Sequence, residues 1–482
     1  MSGPRVRFAP SPTGFFHVGS ARSALFNWFV ARQDPNGVFI LRIEDTDSER
    51  NREEWVEGIV SAMHWLGMVP DEGPFRQSDN APAHAIALAS LLAGGYLYFC
   101  DCTGDAVAAR KGEDKTPGYD GFCRDRQLAA SSTAAYRFRA PNGGEVVVHD
   151  DVRGDVTFSH DVIDDFVIAK PSGAVLFALA NVVDDRSDRI THVIRGEEHL
   201  PNTPRQILLW QALDRCSDVV IDVPHYAHLP VLVNEQRKKL SKRRDPVAVE
   251  MYRDQGFLAE AFVNYLALLG WSPRGELEKV ELAACIEQFR LSDVSHSPAF
   301  FDVKKLSHLN GEYIRSLATQ QFIDRCAPWV VPESSSWRAE NPPPWSPSQF
   351  DESRFARIAP LVQERVNLLS QVPAMVDFLF LDQVVFDDAA FDKTVRSDTL
   401  AQTLLANALV IFSSLEWSAE ILHASVVSLG EELGLNLRKA QAPIRCAVTG
   451  RLIGPPLFES LEILGRDVVR ERIEAALARA AP

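Results

Sequence analysis

The chain has 482 residues, 46% hydrophobic and 24% charged, which suits a soluble globular protein of several packed units. Its net charge of −15 (50 basic against 65 acidic residues) argues against a general polyanion binder, although segregated basic patches can still hold a nucleic acid. No apolar run approaches the roughly 18 residues of a membrane span, and seven scattered cysteines do not read as a disulfide framework. The start, Met1-Ser-Gly-Pro-Arg, carries no signal-peptide pattern, so a cytoplasmic location is expected.

Val6–Ala9 reads as a short strand followed by a Pro/Gly loop, then a helix over Val18–Arg32 with Ala21, Leu25, Phe29 and Val30 on its apolar stripe. Val38–Ile43 reads as a second, buried strand ending in the acidic cluster Glu44-Asp-Thr-Asp47, where active-site groups sit in open α/β sheets. Helical patterns return at Trp55–Leu66 and Pro82–Ala93, which begins a doubly wound sheet. From about Tyr96 to Val175 the texture changes to cysteines, turns and short strands such as Ala135–Arg139 and Glu145–His149, the mark of an insertion. The first pattern resumes at Ala178–Val183 and Ile190–Ile194, and Pro204 opens a helix over Arg205–Leu213. Ala259–Gly270 is helical. Val331–Ser348, rich in proline and serine, reads as an interdomain loop. Beyond it the pattern is helical to the end, with Leu400, Leu404, Leu405, Ala408, Leu409, Phe412 and Leu415 at helical spacing.

Two short segments carry the chemistry. In the first, Arg7-Phe-Ala-Pro-Ser-Pro-Thr-Gly-Phe-Phe-His17-Val-Gly19-Ser20, a loop after a strand delivers His17 and Gly19 to a helix N-terminus. That end offers free N–H groups and a positive dipole to phosphate. Gly19 would allow close backbone approach, and His17 could donate to a phosphate gaining charge. The second is the basic run Arg237–Arg244, interrupted by Leu240-Ser241. A solvated charge run is the plain reading; the functional one is a loop whose Lys242 steadies a charged phosphoryl transition state. Cys100-Asp-Cys102 with Cys123 supplies three thiolates for a tetrahedral zinc site, with Asp125 preferred over Tyr119 as fourth ligand on spacing.

His17-Val-Gly19-Ser20 resembles the HIGH signature, and Lys239-Leu-Ser241-Lys242-Arg243 the KMSKS signature, of class I aminoacyl-tRNA synthetases. Their surroundings are similar to the bacterial-type glutamyl-tRNA synthetase family. Matching segments include Arg7–Gly14, Leu41–Asp47, Ala180–Asp185, Thr191–Glu198, Leu268–Pro273, Phe301–Leu306, Arg445–Arg451 and Gly454–Leu457, so the likeness runs nearly the whole length.

The resemblance implies an α/β fold: a Rossmann-type doubly wound parallel sheet with an α+β insertion, then an all-α C-terminal region. It implies a catalytic domain over 1–94 and 178–223, and an acceptor-end-binding insertion over 95–177 with the zinc site. A stem-contact domain over 224–318 would carry the KMSKS-like loop, and two anticodon-binding helical domains would follow over 319–395 and 396–482. Catalytic roles fall on His17, Gly19, Ser20, Lys239, Ser241 and Lys242. Arg7, Ala9, Ser11, Glu44, Phe177, Asn181 and Arg195 would bind glutamate, and His17, Gly19, Glu198, Leu232 and Lys242 would bind ATP. Arg7 and Arg195 can pair with carboxylates through planar forks, while Glu44 can hold the ammonium. Phe177 departs from the family, which usually has tyrosine there; the lost hydroxyl removes one contact to the amino acid. The implied activity is ATP- and Mg2+-dependent activation of L-glutamate and its transfer to the 3′ end of tRNA(Glu) by a monomer. The rival readings are a specialised or non-discriminating paralogue that also charges tRNA(Gln), and an idle tRNA-binding paralogue. A glutaminyl enzyme would more naturally end in β-barrels than in helices.

Overall fold

The first strand runs Arg5–Phe8 (β1), and it sits at the middle of the sheet because Val6 and Phe8 are buried and both of its edges are paired. This is a computed structural model that describes residues 3–46, 50–112, 118–241, 245–275, 277–333 and 342–481. Asp47, Lys242, Arg243 and Arg244 lie outside the described residues, as does the 334–341 part of the proline- and serine-rich stretch.

By its internal packing the chain divides into two units, Met1–Arg253 with Ala259–Leu306, and Asp254–Leu258 with Ser307–Pro482. In the first, β1 pairs in parallel with Val38–Ile43 (β2), which pairs with Glu72–Arg76 (β3). The helices Val18–Arg32 (α1), Glu53–Trp65 (α2) and Ala81–Ala93 (α3) follow these strands in turn. The near-continuous apolar run of β2 is what a strand covered on both faces requires.

The insertion divides its strands between two sheets. Leu97–Cys100 (β4), Ala135–Phe138 (β5) and Val167–Ala169 (β8) form a separate antiparallel sheet, with the short helix Gly104–Lys111 (α4) after β4. Glu145–Asp150 (β6) and its antiparallel partner Gly154–Ser159 (β7) extend the main sheet instead. The alternating burial of β6 marks it as a half-covered strand near the sheet's edge. Ala178–Val183 belongs to a helix, Phe177–Ser187 (α5), whose residues from Leu179 to Asp185 are all buried. A run buried on every side has no period from which helix and strand can be told apart. His192–Gly196 (β9), Thr203–Arg215 (α6) and His225–Leu229 (β10) complete the unit's main layers.

The resulting order is β3-β2-β1-β9-β10-β6-β7. β1 therefore lies between β2, its near neighbour in sequence, and β9, registered Val6 to His192. This is a topological switch point, where a crevice opens beyond the carboxyl ends of the strands. Loops leaving Phe8 and Gly196 necessarily border it.

In the second unit every regular element among the described residues is helical. Thr399–Phe412 begins where Asp398 accepts from the amides of Leu400 and Ala401. Ser418 and Asn436 cap Ala419–Glu432 and Leu437–Thr449 in the same way, and Gly450 ends the latter in the left-handed region that glycine tolerates. Leu404, Leu405, Ala408 and Phe412 are buried as their spacing predicts, whereas Leu400, in the first turn, is 39% exposed. No described helix is long and apolar enough to cross a membrane.

Candidate active site

A cavity of about 1100 Å³ opens at the switch point. His17, Gly19 and Ser20 line it, as do Lys239 and Leu240, so the two distant segments border one space. Backbone pairing holds the approach: Val18 N–H donates to Val247 O at 2.8 Å and Val249 N–H to Phe16 O at 2.9 Å. Lys239 is anchored by a bridge to Val233, and its Nζ lies 3.8 Å from Glu198. Ser241 is not in the wall; its amide donates to Asp245 at 2.8 Å, outside the cavity lining.

His17 is the N-cap of α1, and its Nδ1 accepts from the Ser20 amide at 3.2 Å. A Cβ on Gly19 would come within 3.1 Å of the His17 ring, so glycine here makes room for the capping imidazole. One residue that the motifs do not point to lies beside them. Arg22, on the second turn of α1, is 2% exposed, lines the cavity and donates to the carbonyls of Leu269 and Pro230. Burial brings its pKa down to about 10, and its Nε has no hydrogen-bond partner among the described residues.

The same cavity is lined by Arg7, Ala9, Ser11, Glu44, Phe177, Asn181 and Arg195, the residues expected to form the amino-acid pocket. Arg7 does not offer its whole fork to a ligand. Its Nε and Nη2 donate to Asp185 at 3.1 and 3.3 Å. Asp185 also accepts from Arg42 at 2.7 Å, and Arg42 reaches Asp188 at 2.9 Å and Glu44 at 3.8 Å. Burial opposes the charge on Arg42, yet Asp185, Glu44, Asp184 and Asp188 together push its pKa up. Burial likewise opposes the Asp185 carboxylate, but Arg7 and Arg42 hold it below the usual range. Burial raises the pKa of Glu44 despite Arg42, Arg7 and the 2.7 Å bond from Asn181. An incoming ammonium would favour its charged form.

Arg195 is 8% exposed, and no carboxylate among the described residues lies within 4 Å of it. Its Nη2 donates to Thr203 at 2.8 Å and to Gln206 at 2.7 Å, and its Nε to His228 at 3.3 Å. Burial lowers its pKa to about 10. A buried guanidinium held by neutral groups is suited to an anion that arrives from outside. Phe177 opens α5 and lies against His199, ring centres 6.0 Å apart. Glu198 and Leu232 also line the cavity.

In the insertion, the sulfurs of Cys100, Cys102 and Cys123 lie within 4.8 Å of one another. The structure brings Tyr119 to them rather than Asp125. The Tyr119 hydroxyl is 3.4 Å from the Cys100 sulfur and 3.6 Å from that of Cys102. Asp125 is 89% exposed and paired with Arg139, because Cys123–Arg126 is a turn that carries position 125 outward. Burial opposes ionisation of Cys100, but Tyr119, the Cys102 backbone and Arg137 lower its pKa.

Residues 4–308 match the family of class I tRNA synthetases (E and Q), catalytic domain, and residues 321–477 match the anticodon binding domain. Fold, cavity and these matches together define a class I tRNA synthetase. The chain is 53% identical over 479 residues to a glutamate–tRNA ligase of Frankia alni, covering 99% of this chain and 98% of the relative. It is 52% identical to that of Salinispora arenicola, covering 98% and 99%. A crystal structure of a glutamate tRNA ligase from Elizabethkingia meningosepticum, in complex with its amino acid, superposes with a TM-score of 0.84 at 30% identity, over 100% of both chains. The chain belongs to the glutamate–tRNA ligase family.

Proposed function

We propose that the chain activates L-glutamate with ATP and transfers the glutamyl group to the 3′ end of tRNA(Glu). The observation that carries this reading is the cavity bordered by both signature segments, with Arg195 in its wall, buried and without a carboxylate within 4 Å among the described residues. The α-carboxylate of glutamate attacks the α-phosphorus of MgATP. The bond from that phosphorus to the bridging oxygen breaks, and pyrophosphate leaves. The terminal ribose hydroxyl of tRNA then attacks the mixed anhydride, loses its proton, and AMP departs. No enzyme nucleophile is needed; alignment and charge compensation suffice.

Arg195 reads the side-chain carboxylate, and Glu44 with Asn181 takes the ammonium. Arg7 keeps Nη1 for the ligand, while Ala9, Ser11 and Phe177 shape the pocket. His17, Gly19, Ser20, Glu198 and Leu232 receive the nucleotide at the positive end of α1. Lys239 and Lys242 supply positive charge to the phosphates, and Ser241 shapes their loop. Neutral glutamine would leave Arg195 without a directly paired carboxylate, at a cost of roughly 1–3 kcal/mol or more.

The assignments 1–94 with 178–223 as catalytic, 95–177 as acceptor-end-binding and 224–318 as stem-contacting fit the catalytic family match. The helical regions 319–395 and 396–482 fit the anticodon-binding match and would contact unpaired bases. The thiol group suits zinc: Cys100, Cys102 and Cys123 would hold it, with Tyr119 the nearest oxygen, and the metal would crosslink the insertion's loops. Elemental analysis of protein purified without added metal should find near one equivalent; a clean zero removes zinc. Pyrophosphate exchange with glutamate, and aminoacylation of purified tRNA(Glu), test the activity. Absence of both with intact tRNA binding would leave only an idle tRNA binder.

A further inference from the structure

Arg195 can only donate hydrogen bonds, and this fixes the polarity of everything around it. On one side its Nη2 donates to Gln206 Oε1 at 2.7 Å. Gln206 then donates through Nε2 to Asn181 Oδ1 at 3.0 Å, and Asn181 through Nδ2 to Glu44 Oε1 at 2.7 Å. On the other side Arg195 Nε faces His228 Nε2 at 3.3 Å, so that ring nitrogen must accept. The proton of a neutral His228 therefore sits on Nδ1, which lies 2.6 Å from Asp150 Oδ2. Two arms leave one guanidinium, and each ends on a buried carboxylate.

The Asp150 arm is built as a fixed support. His228 is fully buried, and Asp150 is 5% exposed. The other Asp150 oxygen accepts from the amides of Val152 and Arg153 at 3.0 and 2.8 Å, at the turn between β6 and β7. The Thr203 hydroxyl, 2.9 Å from His228 Nε2, can donate to the same lone pair that faces Arg195. His228 lies on β10 and Asp150 ends β6, so the pairing of these two strands, Tyr226 with Asp150, sets this contact. That gives the joining of β6 to the main sheet a purpose at the site.

We propose that Asp150 and His228 act as positioning residues that fix the imidazole as an acceptor and thereby aim Arg195 at the glutamate side chain. The inference rests on the glutamate-reading role of Arg195 given above. Neither residue lines the cavity. The opposite tautomer, or a doubly protonated ring, would set an N–H against the Arg195 Nε–H and turn the guanidinium away.

Two substitutions separate this role from simple core filling. Asn at 228 places its amide where Nδ1 was, keeping the donor to Asp150 and losing the acceptor to Arg195. Gln at 228 reaches the Nε2 position with a carbonyl, keeping the acceptor and losing the donor. KM for glutamate, ATP and tRNA would be measured in aminoacylation for His228→Asn, His228→Gln and Arg195→Lys, with thermal melts of each. The expected result is a tenfold or greater rise in KM for glutamate with His228→Asn, with KM for ATP and tRNA within twofold. His228→Gln should raise it less than threefold. Equal effects, a milder effect of Asn than of Gln, or a uniform loss across all three substrates would overturn the proposal. If Arg195→Lys leaves KM for glutamate unchanged, the pocket reading itself fails; if it raises KM while His228→Asn does not, only the relay fails. Should His228→Asn not fold, 15N imidazole spectra of the wild-type protein decide, with His228 assigned by its loss in His228→Gln. A proton on Nδ1 supports the relay, and one on Nε2 overturns it.

Discussion

Two sets of residues in the cavity wall differ in how they hold charge. In the set proposed for the amino acid, Arg7, Glu44, Asn181 and Arg195 are each 8% exposed or less, and each is tied by hydrogen bonds to further buried groups. In the set proposed for the nucleotide Lys239 is 61% exposed and Glu198 48%, with 3.8 Å between them, whereas Arg22, beside them in the wall, is buried like the first set. A charge already stripped of water and locked in place distinguishes ligands by what they fail to satisfy. A charge still in water gains its strength only when substrate and loop come together. Selection between similar amino acids needs the first kind. Stabilising a phosphoryl transition state without over-binding ATP calls for the second.

The largest effect is expected from the basic segment. Lys242→Ala should lower kcat by about 100- to 1000-fold, the usual effect of removing a transition-state donor. The dissociation constant for tRNA should stay unchanged. Wild-type turnover would take Lys242 out of the mechanism. In the buried set the largest response should be in stability. Asp185→Ala leaves Arg7 and Arg42 without their shared partner, and breaking such a buried pair costs about 3–5 kcal/mol. Urea unfolding reads this directly, and a loss below about 1 kcal/mol would mean that the network behaves as a surface pair.

Acid should act on stability as well. His192 and His199 have pKa values lowered to about 4 by burial, with His225 and Arg195 adding repulsion. An unfolded histidine takes its proton near pH 6.5, whereas these folded ones resist until about pH 4. The unfolded state therefore binds more protons in that window, and stability falls as pH drops through it. Denaturant midpoints should decline between pH 6.5 and 4, and less steeply in His192→Gln. The same slope in both proteins would contradict the assignment. The smallest effect concerns Phe177, in the cavity wall. Phe177→Tyr restores one hydroxyl, worth about 0.5–1.5 kcal/mol, so KM for glutamate should fall a few-fold. An unchanged or higher KM would show that the pocket has no use for it.

Much of this site is legible in the amino-acid sequence itself. The strand at Val38–Ile43 and the helix at Val18–Arg32 are local patterns that the fold keeps where the patterns put them, and of the two signature segments His17–Ser20 and Lys239–Leu240 line one cavity. What is not legible depends on distant pairing. Arg42 meets Asp185 and Asp188 across the sheet, and His228 meets Asp150 only because β10 pairs with β6. The one local sign is a charged or polar residue interrupting an apolar strand, as Arg42 does between Leu41 and Ile43. Spacing also favours Asp125 over Tyr119, but a turn after Cys123 reverses which of them faces the sulfurs. Sequence distance says little about direction once the chain bends.

The central claim is that the Arg195 guanidinium, buried and without a carboxylate within 4 Å among the described residues, chooses the amino acid. Its most direct test is the ratio of kcat/KM for glutamate to that for glutamine, in aminoacylation of tRNA(Glu), for the wild-type protein and Arg195→Gln. The account predicts a strong preference for glutamate in the wild type and a collapse of the ratio towards one in the variant. A ratio that survives the substitution would place the choice elsewhere.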